Sequence, residues 1–171
     1  AMTIYHMPLY QQLKARIESG EFGALKMVNA MFGSLKDTDP SMRFFNKELG
    51  GGALLDIGVY ALSFVRYFLS SQPTTLQTLA QLYETGVDEM STIQMKNEQN
   101  ELSTVSLSFR GKMPKQGVIV CENAYITALD YPRADKAVIT YPDGTTEVVE
   151  AGDSGSALAY EVEALSETLL N

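Results

Sequence analysis

The sequence is short of the residues that mark metal, disulfide or hydrolytic sites. It holds one cysteine, Cys121, one histidine, His6, and no tryptophan in 171 residues. A single cysteine excludes an internal disulfide. One cysteine and one histidine cannot build a His/Cys zinc site, so no metal is expected. A Ser-His-Asp triad would have only His6 to draw on, and no nucleophile motif surrounds it. Basic clusters are missing too: 13 lysines and arginines stand against 21 acidic residues, a formal charge of −8. Such a chain carries no electrostatic footprint for nucleic acid or an anionic membrane. No apolar run reaches the ~18 residues of a membrane-spanning helix, so none is expected. The opening AMTIYHMPLY lacks the basic-then-apolar pattern of a signal peptide. With no leader and no disulfide, a cytoplasmic location is expected. Nucleotide fingerprints are also absent: no G-x-G-x-x-G follows a strand, and there is no P-loop.

What is present is an ordinary globular mixture, 45% apolar and 20% charged. The length suits one domain over residues 1–171. Residues 7–20 (MPLYQQLKARIESG) read as a helix opened by Pro8 and closed at Ser19-Gly20. Residues 24–33 read as a strand, and 34–49 as a long polar loop. Residues 51–69 (GGALLDIGVYALSFVRYFL) are apolar enough for a buried helix, stopped at Gln72-Pro73. Seven short segments rich in Thr, Val, Ile and Tyr follow: 74–83, 90–96, 102–110, 117–121, 124–129, 136–141 and 145–149. Pro142-Asp143-Gly144 between two alternating runs marks a hairpin. Residues 156–170 read as a last helix, with Ser156 as N-cap and Leu158, Val162, Leu165 and Leu169 on one face. Consecutive hairpins predict an α+β fold: a large, mostly antiparallel open sheet with helices on one face.

Candidate chemistry concentrates in the central helix. At about 100° per residue, Asp56, Tyr60, Ser63, Tyr67 and Ser70 share one narrow arc. That stripe is either the helix's wet side or the wall of a cleft. In the second case Asp56 and Tyr60 present an acid and a phenol to one small molecule. Gly50-Gly51-Gly52 allow close approach at the helix start. Arg43, in the loop before them, suits a substrate oxygen or a phosphate. His6 is read as structural, Cys121 as a small buried hydrophobe, and Asp88-Glu89 as a turn leading into a strand.

The run RFFNKELGGGALLDIGVYAL (Arg43–Leu62) resembles the motif of the Gfo/Idh/MocA oxidoreductases at the start of their second domain. The segments MPLYQQLKARIESGEFGALKMVNAMFG before it, and TGVDEM, YPDGTTEVVE and AYEVEAL after it, are similar to that family as well. The resemblance covers nearly the whole chain. It implies a C-terminal substrate and oligomerisation domain whose N-terminal Rossmann partner, with its glycine fingerprint and Glu-Lys-Pro lysine, is absent from this sequence. It implies NAD or NADP, bound mainly by that partner, with Gly51 and Gly52 as contacts from this chain. Many members carry Asp-x-x-x-His in the glycine motif. Here Asp56 and Tyr60 stand instead, as in the branch of dihydrodiol dehydrogenase and glucose–fructose oxidoreductase. Many relatives also have an arginine near the first proline, where this chain reads Tyr5-His6-Met7-Pro8.

The implied reaction moves a hydride between nicotinamide and a sugar, polyol or diol. Tyr60 exchanges the hydroxyl proton, Asp56 orients it, and Arg43 and Tyr60 contact substrate. The implied assembly is a homodimer or dimer-based tetramer through the open sheet face. The competing reading is a non-catalytic ligand-binding or dimerisation module.

Overall fold

The computed structural model describes residues 2–170. Helix α1 (Pro8–Glu18) begins with Pro8 in its first turn, where the missing N–H costs nothing. Leu9, Tyr10 and Leu13 form its buried side. Gly20, at φ +80, turns the chain towards strand β1 (Leu25–Gly33). The polar loop after β1 holds two 3-10 turns, Arg43–Phe45 and Lys47–Leu49. A π-helical turn, Leu54–Gly58, then runs into α2 (Val59–Phe68). Seven strands follow: β2 (Pro73–Leu82), β3 (Asp88–Asn97), β4 (Leu102–Ser108), β5 (Met113–Cys121), β6 (Tyr125–Leu129), β7 (Lys136–Thr140) and β8 (Thr146–Glu150). Helix α3 (Ala157–Leu170) closes the described chain.

The strands form one eight-stranded sheet of order β2-β3-β4-β1-β5-β6-β7-β8, in which consecutive later strands are neighbours except β4 and β5. The fold is α+β, as expected. The hairpin pattern did not locate β1, which inserts between β4 and β5 and runs parallel to β4. The tight turn at Pro142-Asp143-Gly144 forms as read: Gly144 takes φ +85, and the Asp143 carboxylate accepts from the Thr145 amide at 2.9 Å.

Helix α2 lies across β1, β4 and β5. Ile57, Ala61, Phe64, Val65 and Phe68 point into the core. A Cβ at Gly117 of β5 would stand 2.3–2.9 Å from three Phe64 ring atoms, so the glycine lets the ring rest on the sheet. Lys47–Phe68 is long and apolar enough to meet the criterion for a membrane span, which corrects the expectation from run length. Core packing accounts for Ile57, Ala61, Phe64, Val65 and Phe68, while Leu49, Leu54, Leu55 and Val59 of the same segment are exposed; a core helix of a folded domain meets the same criterion.

One expectation for α3, its cap, is also corrected. Its stripe of Leu158, Val162, Leu165 and Leu169 is exposed, and only Ala157 is buried. Ser156 does not cap it. Asp153 caps the preceding 3-10 turn, accepting from the Gly155 amide, and the Ser156 hydroxyl donates to the same carboxylate at 2.8 Å. The Ser156 hydroxyl turns back to Asp153 and accepts from none of the first amides of α3.

The sheet face opposite α2 carries one continuous cross-strand row. It runs Gln77, Gln94, Thr104, Asn29, Val118, Thr127, Val138 and Val148 through the observed registers. Its polar half lies on β2–β4 and β1, its apolar and β-branched half on β5–β8.

Candidate functional site

The glycine corner before α2 is closed by the chain itself. Gly51 and Gly52 are buried, and their amides donate to the Asn46 and Phe44 carbonyls at 2.9 Å. A Cβ on Gly51 would meet three backbone oxygens at 2.7–2.8 Å. On Gly52, at φ +112, it would meet an Asp88 oxygen at 2.3 Å. At Gly51 and Gly52, where a cofactor contact is expected, what approaches the glycines within this chain is protein backbone and Asp88. The second Asp88 oxygen accepts from the Leu54 amide at 2.8 Å, so Asp88 caps the π-helical turn. Burial holds its carboxyl above the usual aspartate range, and the bond from Leu54 opposes that shift.

The polar stripe of the central helix does not face one cleft. The π turn inserts extra backbone before α2 and shifts the phase, so Leu54, Leu55 and Val59 take the exposed positions. Asp56 forms an ion pair with Arg43, whose guanidinium also lies 4.8 Å from the Phe44 ring. Tyr67 packs among Tyr5, Tyr10 and Phe68. The Ser70 amide donates to buried Glu101, which Asn97 also holds, tying the β3–β4 turn to the end of α2.

Tyr60 of the stripe lines a sizeable cleft. Its ring lies 6.4 Å from Phe32, which meets Tyr131 edge-on at 6.5 Å, and Tyr131 lies 5.0 Å from Phe64. This aromatic chain is a rigid floor, because Tyr131 and Phe64 are fully buried. Above it opens a cleft of about 540 Å³ lined by Phe32, Tyr60, Lys115, Asp130, Pro132, Arg133 and Ser154. The Tyr60 hydroxyl makes no hydrogen bond to a described residue, so its proton and lone pairs are open to a ligand.

Asp56 and Arg43 thus stand together at the helix start, while Tyr60 belongs to a separate wall. Sequence reading missed Lys115, Asp130 and Arg133. The one local signal was Tyr131-Pro132-Arg133, a proline turn after a residue in the left-handed region, Asp130 at φ 49. His6 sits in a short 3-10 turn and Cys121 is buried. Burial, with Glu101 and Glu122 nearby, pushes the Cys121 thiol up to about 11, so it stays protonated and inert. Among the described residues no His/Cys/Asp/Glu group could hold a metal ion.

Comparison with known proteins bears on this arrangement. The GFO/IDH/MocA C-terminal domain profile matches residues 10–127, which include the glycine corner, Asp56, Tyr60 and Lys115. The chain is 30% identical over 171 residues to trans-1,2-dihydrobenzene-1,2-diol dehydrogenase of Xenopus laevis, covering 95% of this chain and 51% of that protein. Its fold matches aldose-aldose oxidoreductase from Caulobacter crescentus, complexed with glycerol, at TM-score 0.81 and 14% identity, over 98% of this chain and 53% of the other. It also matches a 3-ketoreductase from Actinomadura kijaniata, in complex with TDP-benzene and NADP, at TM-score 0.77 and 17% identity, over 99% and 52%. The chain therefore spans about half the length of these proteins. A profile match over more than half the chain, carrying the glycine corner that the fold closes on Asp88, makes the chain a member of the Gfo/Idh/MocA oxidoreductases, matching their C-terminal domain.

Proposed function

We propose that this chain is the substrate-binding half of an NAD(P)-dependent oxidoreductase acting on a sugar, polyol or related diol. The observation that carries the reading is Tyr60, a phenol with no protein partner at the wall of a monosaccharide-sized cleft. No nucleotide fingerprint occurs in this sequence, and the cofactor is held mainly by a Rossmann domain outside it. When bound, the nicotinamide supplies the hydride acceptor.

The residues here do the rest. Phe32 and the buried aromatics beneath it give the sugar ring an apolar floor. Tyr60 takes the hydroxyl proton as the carbinol carbon becomes a carbonyl, and returns it in the reverse direction. Asp56 and Arg43 brace each other beside the glycine corner and keep the loop seated on the helix start. The test is an assay of the full-length protein with NAD and NADP across neutral aldoses, polyols and vicinal diols. Cofactor reduction by at least one class is expected; no turnover with any substrate in either direction would discard the reading.

The open sheet face is read as the subunit interface. An antiparallel sheet covered on one side can leave its other face in water, so it is the apolar part of this face that supports a partner. Val118, Thr127, Val138 and Val148 give that face a flat apolar half. Val118→Lys combined with Val138→Lys is expected to convert a dimer, or dimer-based tetramer, into smaller species by light scattering. A wild-type protein that is monomeric at high concentration would remove this assignment.

A further inference from the structure

The Tyr60 cleft contains charge that alcohol oxidation alone does not call for. Lys115 stands near the start of β5, and Arg133 ends the turn between β6 and β7. The two elements are distant in sequence, yet both cations line the cleft that Tyr60 lines. Among the described residues, six of the chain's 13 lysines and arginines sit in ion pairs. Neither Lys115 nor Arg133 is among them, although acids outnumber bases in this chain. The one carboxylate in the cleft, Asp130, is within salt-bridge distance of neither. A third unpaired cation, Lys112, lines the continuation of the cleft past Gly33 and Ser34.

The Lys115 side chain rests on a ring, and the backbone that carries Arg133 is pinned. The Lys115 ammonium lies 5.2 Å from the centre of the Phe32 ring, whose other contacts are Tyr60 and Tyr131. Arg133 is carried by a turn pinned by Pro132, by Asp130 at φ 49, and by its own amide donating to the Asp130 carbonyl. A non-glycine residue held at positive φ costs free energy that the surrounding fold must offset, and such positions gather at functional sites. Across the cleft the Ser154 amide donates to Asp135, so that wall is stapled as well. Two unpaired cations, Lys115 over the aromatic floor and Arg133 on the turn beside it, together with a free phenol, form a recognition site for a ligand with an alcohol and a negative charge.

The geometry points to a substrate that carries an anionic group, carboxylate or phosphate, received by Lys115 and Arg133 while its hydroxyl lies at Tyr60. This deepens the oxidoreductase reading and rests on it. Arginine's planar fork suits either anion bidentately, and lysine adds a movable point charge. A cleft of about 540 Å³ holds a single sugar ring with such a group at one end.

The test compares three forms of one sugar in the full-length protein: the neutral aldose, the uronate, and the terminal phosphate. One charged form is expected to show kcat/KM about tenfold or more above the neutral parent, mainly through KM, as suits one charge-assisted contact. The advantage should shrink as salt is raised. Lys115→Met and Arg133→Met, both at exposed positions, should each cut the ratio of charged to neutral kcat/KM by about tenfold. The uronate and phosphate arms separate the two anions. A neutral form preferred over both, or a charged advantage untouched by both substitutions, overturns the proposal. If no form is turned over, the oxidoreductase reading has failed and calorimetric titration with the uronate and the sugar phosphate decides the anion site. Binding lost in the double substitution upholds the site, and no binding to the wild-type protein overturns it.

Discussion

Tyr60→Phe in the full-length protein is expected to lower turnover by about 10²- to 10⁴-fold, the usual contribution of a positioned acid–base group. The substitution removes one oxygen and keeps the ring against Phe32. That oxygen bonds to no described residue, so its loss breaks nothing in the fold. Thermal stability should therefore stay within the roughly 0.5 kcal/mol typical of substitutions that touch no structural feature. KM should move far less than kcat, because proton transfer is made in the transition state.

Asp56→Asn should act differently. It leaves Arg43 without its charged partner at a position where Arg43 is half exposed, so the ion pair is worth at most about 1 kcal/mol. Its effect on turnover should be smaller than that of Tyr60→Phe and accompanied by a change in stability. A Tyr60→Phe enzyme that keeps more than half its activity would place Tyr60 on the helix's wet side and favour the non-catalytic reading.

Local patterns in the sequence located nearly every element, and the reason is physical. The strands are short, Thr/Val/Ile-rich and separated by turns such as Pro142-Asp143-Gly144, so each announces itself. What local pattern could not supply was order in the sheet. Strand β1 pairs with β4 and β5, which lie at least 69 residues downstream. The cleft was hidden for the same reason. Phe32, Tyr60, Lys115 and Arg133 come from four elements and share no spacing. The helical wheel failed locally as well, since it assumes 3.6 residues per turn and the π turn at Leu54–Gly58 breaks that count. Asp56 and Tyr60 were legible as a pair through the family motif, yet the fold separates their partners.

The glycine corner gives the second large expectation. Gly52→Ala places a methyl group where the backbone is at φ +112 and an Asp88 oxygen sits 2.3 Å away. Backbone strain of that kind costs about 1–3 kcal/mol. The displaced carboxylate also loses the Leu54 amide, a capping bond worth about 0.5–2 kcal/mol. A fall of several degrees in melting temperature is expected, with turnover falling too, because this turn carries the helix that holds Tyr60.

Asp88→Ala separates the two costs. It should lose only the cap, and adding Gly52→Ala to it should then cost less than Gly52→Ala alone. Costs that simply add would mean that the glycine and the carboxylate are not fitted to each other. Asp88→Asn tests what the cap is made of. Burial holds the Asp88 carboxyl above its usual range, so the fold favours the protonated form more than the unfolded chain does. That preference contributes stability below the usual aspartate range, and it is lost as pH rises through the raised value. At neutral pH the ionised carboxylate therefore caps the turn against a desolvation cost, which the neutral amide of asparagine avoids while keeping an acceptor for Leu54. Asp88→Asn should match or exceed wild-type stability at neutral pH, where Asp88→Ala falls below it. If asparagine is as damaging as alanine, the charge of Asp88 and not its acceptor geometry holds the helix start.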